Sequence, residues 1–146
     1  MFEKILFPTD FSDVSERAIP FIKQLKEGGT KEVIVLHVLD ARMLETAHGY
    51  LSGKSYDSFH SLRHEGILEK LHEIEGELRD AGLEVKTIIR DGIPLREILK
   101  VEKEEDVSMI VIGSHGMSNL EEVFLGSVSE KVIRKSQKPV LVIKRS

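Results

Sequence analysis

Apolar residues along this chain fall into two patterns that take turns. Four short runs are nearly continuous: KILFP (4–8), VIVLHVL (33–39), SMIVIG (108–113) and PVLVIK (139–144). Unbroken Ile, Val and Leu mark a strand covered on both faces, as in a parallel sheet, since a half-solvated strand would alternate. VKTIIR (85–90) is a fifth, weaker strand. Between the runs, apolar residues return every three or four positions, which lines one face of a helix. Val14, Ala18, Phe21, Ile22 and Leu25 do so behind Ser12, whose hydroxyl suits an N-cap, and Gly28-Gly29 ends the segment. Pro20 lies inside this helix and is predicted to kink it, because it donates no hydrogen bond and crowds the carbonyl four residues back. Leu62, Leu68, Leu71, Ile74 and Leu78 predict a second helix that stops at Gly82. Pro94 opens a third with Leu95, Ile98 and Leu99, and a last one over 126–136 turns Val128, Val132 and Ile133 inward.

Strands alternating with helices predict an α/β fold. Right-handed crossovers then favour a doubly wound, Rossmann-like open parallel sheet with helices on both faces. The 146 residues fit one domain, 1–146, able to bury a real core. Residues 41–60, ARMLETAHGYLSGKSYDSFH, have no clear period and are predicted to form a mobile connection over one sheet edge.

Charge narrows the partners. With 21 basic against 25 acidic side chains the net charge is −4, which argues against a nucleic-acid surface. No run approaches the roughly 20 apolar residues of a membrane span. The opening MFEKILFPTDFS is broken by Pro8 and Asp10 and does not read as a signal peptide, so a cytoplasmic protein is expected. The absence of cysteine excludes disulfides and thiolate metal sites.

The candidate chemistry lies in GSHGMSNLEEVFLGS (113–127). In open α/β sheets ligands bind beyond the carboxyl ends of the strands, where the strand order reverses. FPTD, HVLD and GSHG end three of the strands, and the last helix opens at Gly126-Ser127-Val128 with its free amides at the same end. Helix N-termini hold anions through such donors. Gly113, Gly116 and Gly126 would let the backbone approach an oxyanion, Ser127 and Ser129 offer hydroxyls, and Asp10 could accept from a ribose. The glycine spacing is neither GxxxxGK[ST] nor GxGxxG.

From KILFPTDFS through VIVLHVLD and DGIP to VIGSHG and GSVSEKVIRKSQKPVLVIK, the chain resembles the universal stress protein family. Its Gly-x2-Gly-x9-Gly-Ser spacing is that of the ATP-binding branch. The resemblance implies a five-stranded parallel sheet in the order 3-2-1-4-5 and a homodimer paired through the last strand, 139–144. It implies that Pro8, Thr9 and Asp10 border the adenosine, with Asp10 on the ribose, and that Val38 meets the adenine edge through its backbone. Gly113, Ser114, His115, Gly116, Gly126, Ser127, Val128 and Ser129 would surround the phosphates, with Met117 and Asn119 lining the loop between. The family commonly has Arg or Lys where this chain has Met117, which weakens the case for a tightly held triphosphate and keeps ADP and AMP open beside ATP. Any Mg²⁺ would be held mainly by phosphates.

Other clusters read as structural. His60 and His64 are an i, i+4 pair with His72 nearby, but HExxH is incomplete and a solvated helix face is expected. His37, inside a buried strand, reads as a satisfied core residue, and KVEKEED (100–106) as a helix end and solvated turn. His115 reads equally as a solvent-facing loop side chain and as a phosphate contact. Three functions follow: a nucleotide-occupied stress or signalling protein, a slow ATPase or nucleotidyl transferase, and a structural dimer with an empty site.

Overall fold

The computed structural model describes residues 1–40, 53–115 and 126–144, and of 53–63 the backbone alone. Five strands, β1 (Lys4–Pro8), β2 (Glu32–Asp40), β3 (Glu84–Gly92), β4 (Met109–Gly113) and β5 (Val140–Ile143), form one sheet in the order β3-β2-β1-β4-β5. Every pairing is parallel; Pro8 faces Leu36 across to β2, and Ile5 faces Met109 across to β4. The helices are α1 (Asp13–Glu16), α2 (Ala18–Leu25), α3 (Gly53–Asp80), α4 (Pro94–Glu104) and α5 (Ser127–Lys135).

Side-chain alternation explains why the strand sequences look continuous. Ile5, Phe7, Val33, Val35 and Val111 point to one face, where α2 and α3 cover them with Ile22, Leu71, Ile74 and Leu78. Their neighbours Leu6, Ile34, Leu36, Ile110 and Ile112 point to the other, under Ile98 and Val101 of α4 and Val132 of α5. Each residue of the central strands therefore has a core to enter, whereas the edge strand β3 leaves Lys86 and Thr87 exposed.

The helix predictions hold in outline, with corrections in detail. The predicted kink is a break: α1 stops at Glu16, whose carbonyl is the one Pro20 cannot pair with, and Arg17 separates it from α2. The predicted connection over 41–60 is helical from Gly53, because α3 runs for 28 residues; positions 41–52 lie outside the described residues. Phe21, Leu68 and Ile133, expected inside, are 44%, 48% and 40% exposed. On α3 the buried stripe is Ile67, Leu71, Ile74 and Leu78, a four-three-four spacing that also fits a helical period and displaces Leu68 outward.

KVEKEED is also not a plainly solvated turn. Glu102 is 5% exposed and accepts from the Ser136 hydroxyl at 2.8 Å and the Gln137 amide at 2.9 Å, tying α4 to the chain entering β5. Glu105 meets Lys86 at 2.6 Å and Lys4 at 3.3 Å, and the Lys86 contact, then Lys4, holds its carboxyl below the usual range against the cost of burial.

Ile67→Ala should lower unfolding free energy by about 2–4 kcal/mol, whereas Leu68→Ala should change it by less than about 0.5 kcal/mol. Urea denaturation of the two variants checks the stripe; equal losses would mean that the helix is rotated from this position.

Candidate functional site

The sheet order reverses between β1 and β4, so their carboxyl ends flank a crevice. β1 ends at Pro8, and the Thr9 amide makes one more rung to the Leu36 carbonyl at 2.8 Å, while β2 continues to Asp40. Alternate residues of a strand direct their backbone groups to the same side, so Val38 turns its amide and carbonyl the way Leu36 does, past the end of β1. Its side chain packs with the α4 cluster. That orientation is what a ligand contact through the Val38 backbone requires.

Beyond Pro8 the chain is fixed by small polar groups. Thr9 Oγ1 accepts from the Phe11 amide at 3.0 Å and the Ser15 hydroxyl at 2.6 Å. Asp10 Oδ1 accepts from the Ser12 amide at 3.0 Å, and Ser12 Oγ caps α1 by accepting from the Ser15 amide at 3.2 Å. Phe11 sits at φ 64°, a left-handed conformation uncommon for a side chain of its size. Its ring stacks on His37 with centroids 4.5 Å apart and lies 5.3 Å from the Lys70 ammonium. His37 Nδ1 is 2.8 Å from the Thr9 carbonyl, so this histidine is a satisfied core group, as its place in a strand predicts. Phe11 gave no sequence signal, because nothing local to it demands a positive φ.

The other wall is built from β4 and α5. The Ser114 amide donates to the Ile143 carbonyl at 2.8 Å, and its carbonyl accepts from the Gly126 amide at 2.7 Å. The Ser129 hydroxyl donates to the Gly113 carbonyl at 2.6 Å. These bonds clamp the start of α5 onto the end of β4. Gly126 is the N-cap, and the first intrahelical bond runs from the Glu130 amide to its carbonyl at 2.9 Å. The amides of Ser127, Val128 and Ser129 consequently have no acceptor within the helix, and glycine brings no side chain to cap them. His115 is 6% exposed; its Nδ1 lies 2.8 Å from Ser114 Oγ, and its Nε2 is buried with no hydrogen-bond partner among the described residues. A solvent-facing His115 is thereby ruled out.

Pro8, Thr9, Asp10, Val38, Gly113, Ser114, His115, Gly126, Ser127, Val128 and Ser129 thus all stand at the carboxyl end of the sheet, with Gly116, Met117 and Asn119 outside the described residues. One role differs from expectation: the Ser129 hydroxyl is committed to Gly113 and is not a spare donor, while the Gly126 amide bonds to the Ser114 carbonyl. A Cβ on Gly113 would stand 3.2 Å from both the Ser15 amide and Val14 Cγ1, so this glycine lets α1 seat against β4. Among the described residues, no three His, Cys, Asp or Glu side chains gather as a metal site. None of the helices, among those residues, is long and apolar enough to cross a membrane.

Gly113→Val should destabilise the protein by about 1–3 kcal/mol in the absence of any ligand, by forcing α1 off β4. A thermal melt of the unliganded variant checks this; unchanged stability would return Gly113 to a role in ligand approach alone.

Comparison with known proteins places the chain. The Universal stress protein family model matches residues 1–144. Universal stress protein MJ0577 of Methanocaldococcus jannaschii is 44% identical over 156 residues, covering 99% of this chain and 96% of that protein. YxiE of Bacillus subtilis, also a universal stress protein, is 37% identical over 150 residues, covering 99% of this chain and 100% of its own. The solved structure of MJ0577 superposes with a TM-score of 0.90, over 100% of this chain and 98% of that one. A universal stress protein of Archaeoglobus fulgidus, solved in complex with dAMP, shares the fold at a TM-score of 0.64 and 24% identity, over 99% and 98% of the two chains. Matched by its family from the first residue to residue 144, and by two relatives along nearly all of its length, this chain belongs to the universal stress protein family.

Proposed function

We propose that this protein binds an adenine nucleotide, ATP, ADP or AMP, in the crevice between β1 and β4, and that occupancy acts as a switch in stress response or signalling in the cytoplasm. The observation that carries the proposal is the head of α5, where three successive amides lack acceptors in the helix beside the ends of β1 and β4. Phosphate oxygens would take those donors. Asp10 would accept from the ribose, since a carboxylate offers about four acceptor sites and can serve several donors at once. The backbone of Val38 would meet the adenine edge. Any Mg²⁺ would be held by the phosphates themselves, which suits a site without a carboxylate cluster among the described residues.

Proline at the first position of a helix costs the helix nothing, because that amide has no intrahelical partner. Ser127→Pro therefore deletes one phosphate donor and leaves α5 intact, while Ser127→Ala keeps the amide and controls for the hydroxyl. Calorimetric titration with AMP, ADP and ATP should show binding weakened about 10- to 100-fold by Ser127→Pro and little by Ser127→Ala. Mass spectrometry of small molecules released from the purified wild type should recover an adenine nucleotide. Full binding by Ser127→Pro would remove the head of α5 from the site.

The switch needs something to act on, and a second copy of the chain is the natural candidate. β5 is the edge of the sheet, and its Val140, Leu141 and Val142 are only partly buried. An open apolar edge of this kind invites strand pairing. Sedimentation should give twice the 16.5 kDa chain mass, and Val142→Lys should reduce it to the single chain. A monomer at tens of micromolar wild type would dismiss the dimer.

A further inference from the structure

His115 presents an unexplained expense. Its side chain is buried at 6% exposure, yet Nε2 meets no partner among the described residues, and a buried polar atom left unsatisfied is costly. Native structures keep few such groups, and each calls for an explanation: a bound water or ion, or a functional role. The residue follows Ser114, whose carbonyl receives the Gly126 amide, so it leaves β4 beside the head of α5.

Ser114 decides what the orphaned nitrogen can do. Its Oγ lies 2.8 Å from Nδ1, and the residue is 1% exposed, so its hydroxyl proton has no recourse to water. Among the described residues the Ser114 hydroxyl has no other acceptor in reach, so it satisfies itself by donating to Nδ1. The ring proton then belongs on Nε2, and the unpartnered atom is an N–H donor. The reverse arrangement would strand the Ser114 hydroxyl proton, which has no other acceptor among the described residues.

We infer that Ser114 is the positioning residue of this site: its hydroxyl fixes His115 in the tautomer whose buried Nε2–H waits for a phosphoryl oxygen of the ligand. His115 thereby supplies a donor held by a neighbouring side chain, alongside the backbone amides of α5. This deepens the nucleotide-binding proposal and rests on it. The phosphoryl group is the part of the ligand it reads, so the effect should be present for AMP and missing for adenosine.

Two measurements test this. Long-range proton–nitrogen spectra of the uniformly labelled, ligand-free protein, with the His115 signals assigned by their loss in His115→Gln, should show the proton on Nε2. A proton on Nδ1 would overturn the assignment. Titrations with AMP and adenosine then compare Ser114→Ala with Ser114→Thr, and His115→Asn with His115→Gln. Ser114→Ala and His115→Asn should each weaken AMP about tenfold without moving adenosine, because the fixed Nε2 donor is lost. Ser114→Thr, which keeps the hydroxyl, and His115→Gln, whose amide reaches the Nε2 position, should stay within about threefold of wild type. The two His115 variants keep the test open should Ser114→Thr fail to fit its buried site. If wild type and Ser114→Ala bind AMP equally, the positioning role falls while nucleotide binding stands. If wild type binds no AMP, nucleotide binding falls, and this assignment with it.

Discussion

The central strand governs the molecule. β1 lies between β2 and β4 and beneath helices on both faces, and Ile5, Leu6 and Phe7 are fully buried. Along such a strand every amide and carbonyl must pair, because an orphan in that environment costs about as much as a lost hydrogen bond. The requirement lapses only at its carboxyl end. There Thr9 makes a last rung to Leu36, and the chain must turn away while β2 and β4 stand on either side. The crevice follows from covering a parallel sheet on both faces, and its position follows from the reversal of strand order.

Holding such a crevice open is work for small polar side chains, and most of those present are used for it. Thr9, Ser12, Ser15 and Ser129 bond to backbone or to one another, and Asp10 takes the Ser12 amide. Glycine serves the same end at Gly113 by letting α1 seat against β4. The groups that the described residues leave without acceptors are of another kind: helix amides at the head of α5 and the Nε2 of His115. All are donors, which selects an anion as the complement.

The turn after β1 carries the strain. Phe11 holds a left-handed backbone that an aromatic residue rarely adopts, and it is kept there by its amide bond to Thr9, its stack on His37 and the Lys70 ammonium near its ring. His37 comes from β2 and Lys70 from α3, so two elements distant in sequence fix the geometry beside Asp10. The Phe11 turn and the clamp of Ser129 on Gly113 tie the two walls of the site to the sheet.

The amino-acid sequence determined by itself the five strands, their parallel character and the end of the sheet at which chemistry gathers. Continuous apolar runs such as VIVLHVL have few alternatives, and Gly-x2-Gly-x9-Gly-Ser behind a strand marks a turn into a helix head. Family resemblance added the strand order, which periodicity does not contain. Only the tertiary structure decided which of Ile67 and Leu68 faces the core, since both fit a helical period and packing against the sheet breaks the tie. It alone turned KVEKEED from a charge run into a tie between α4 and the entry to β5, because Ser136, thirty-four residues from Glu102, is adjacent only in the fold. It also separated the serines and glycines of the site into those that build the walls and those that do not. Local sequence gives each of them the same hydroxyl or the same missing side chain, and their partners, Ser15 for Gly113 and Gly113 for Ser129, are supplied by elements that meet across the sheet.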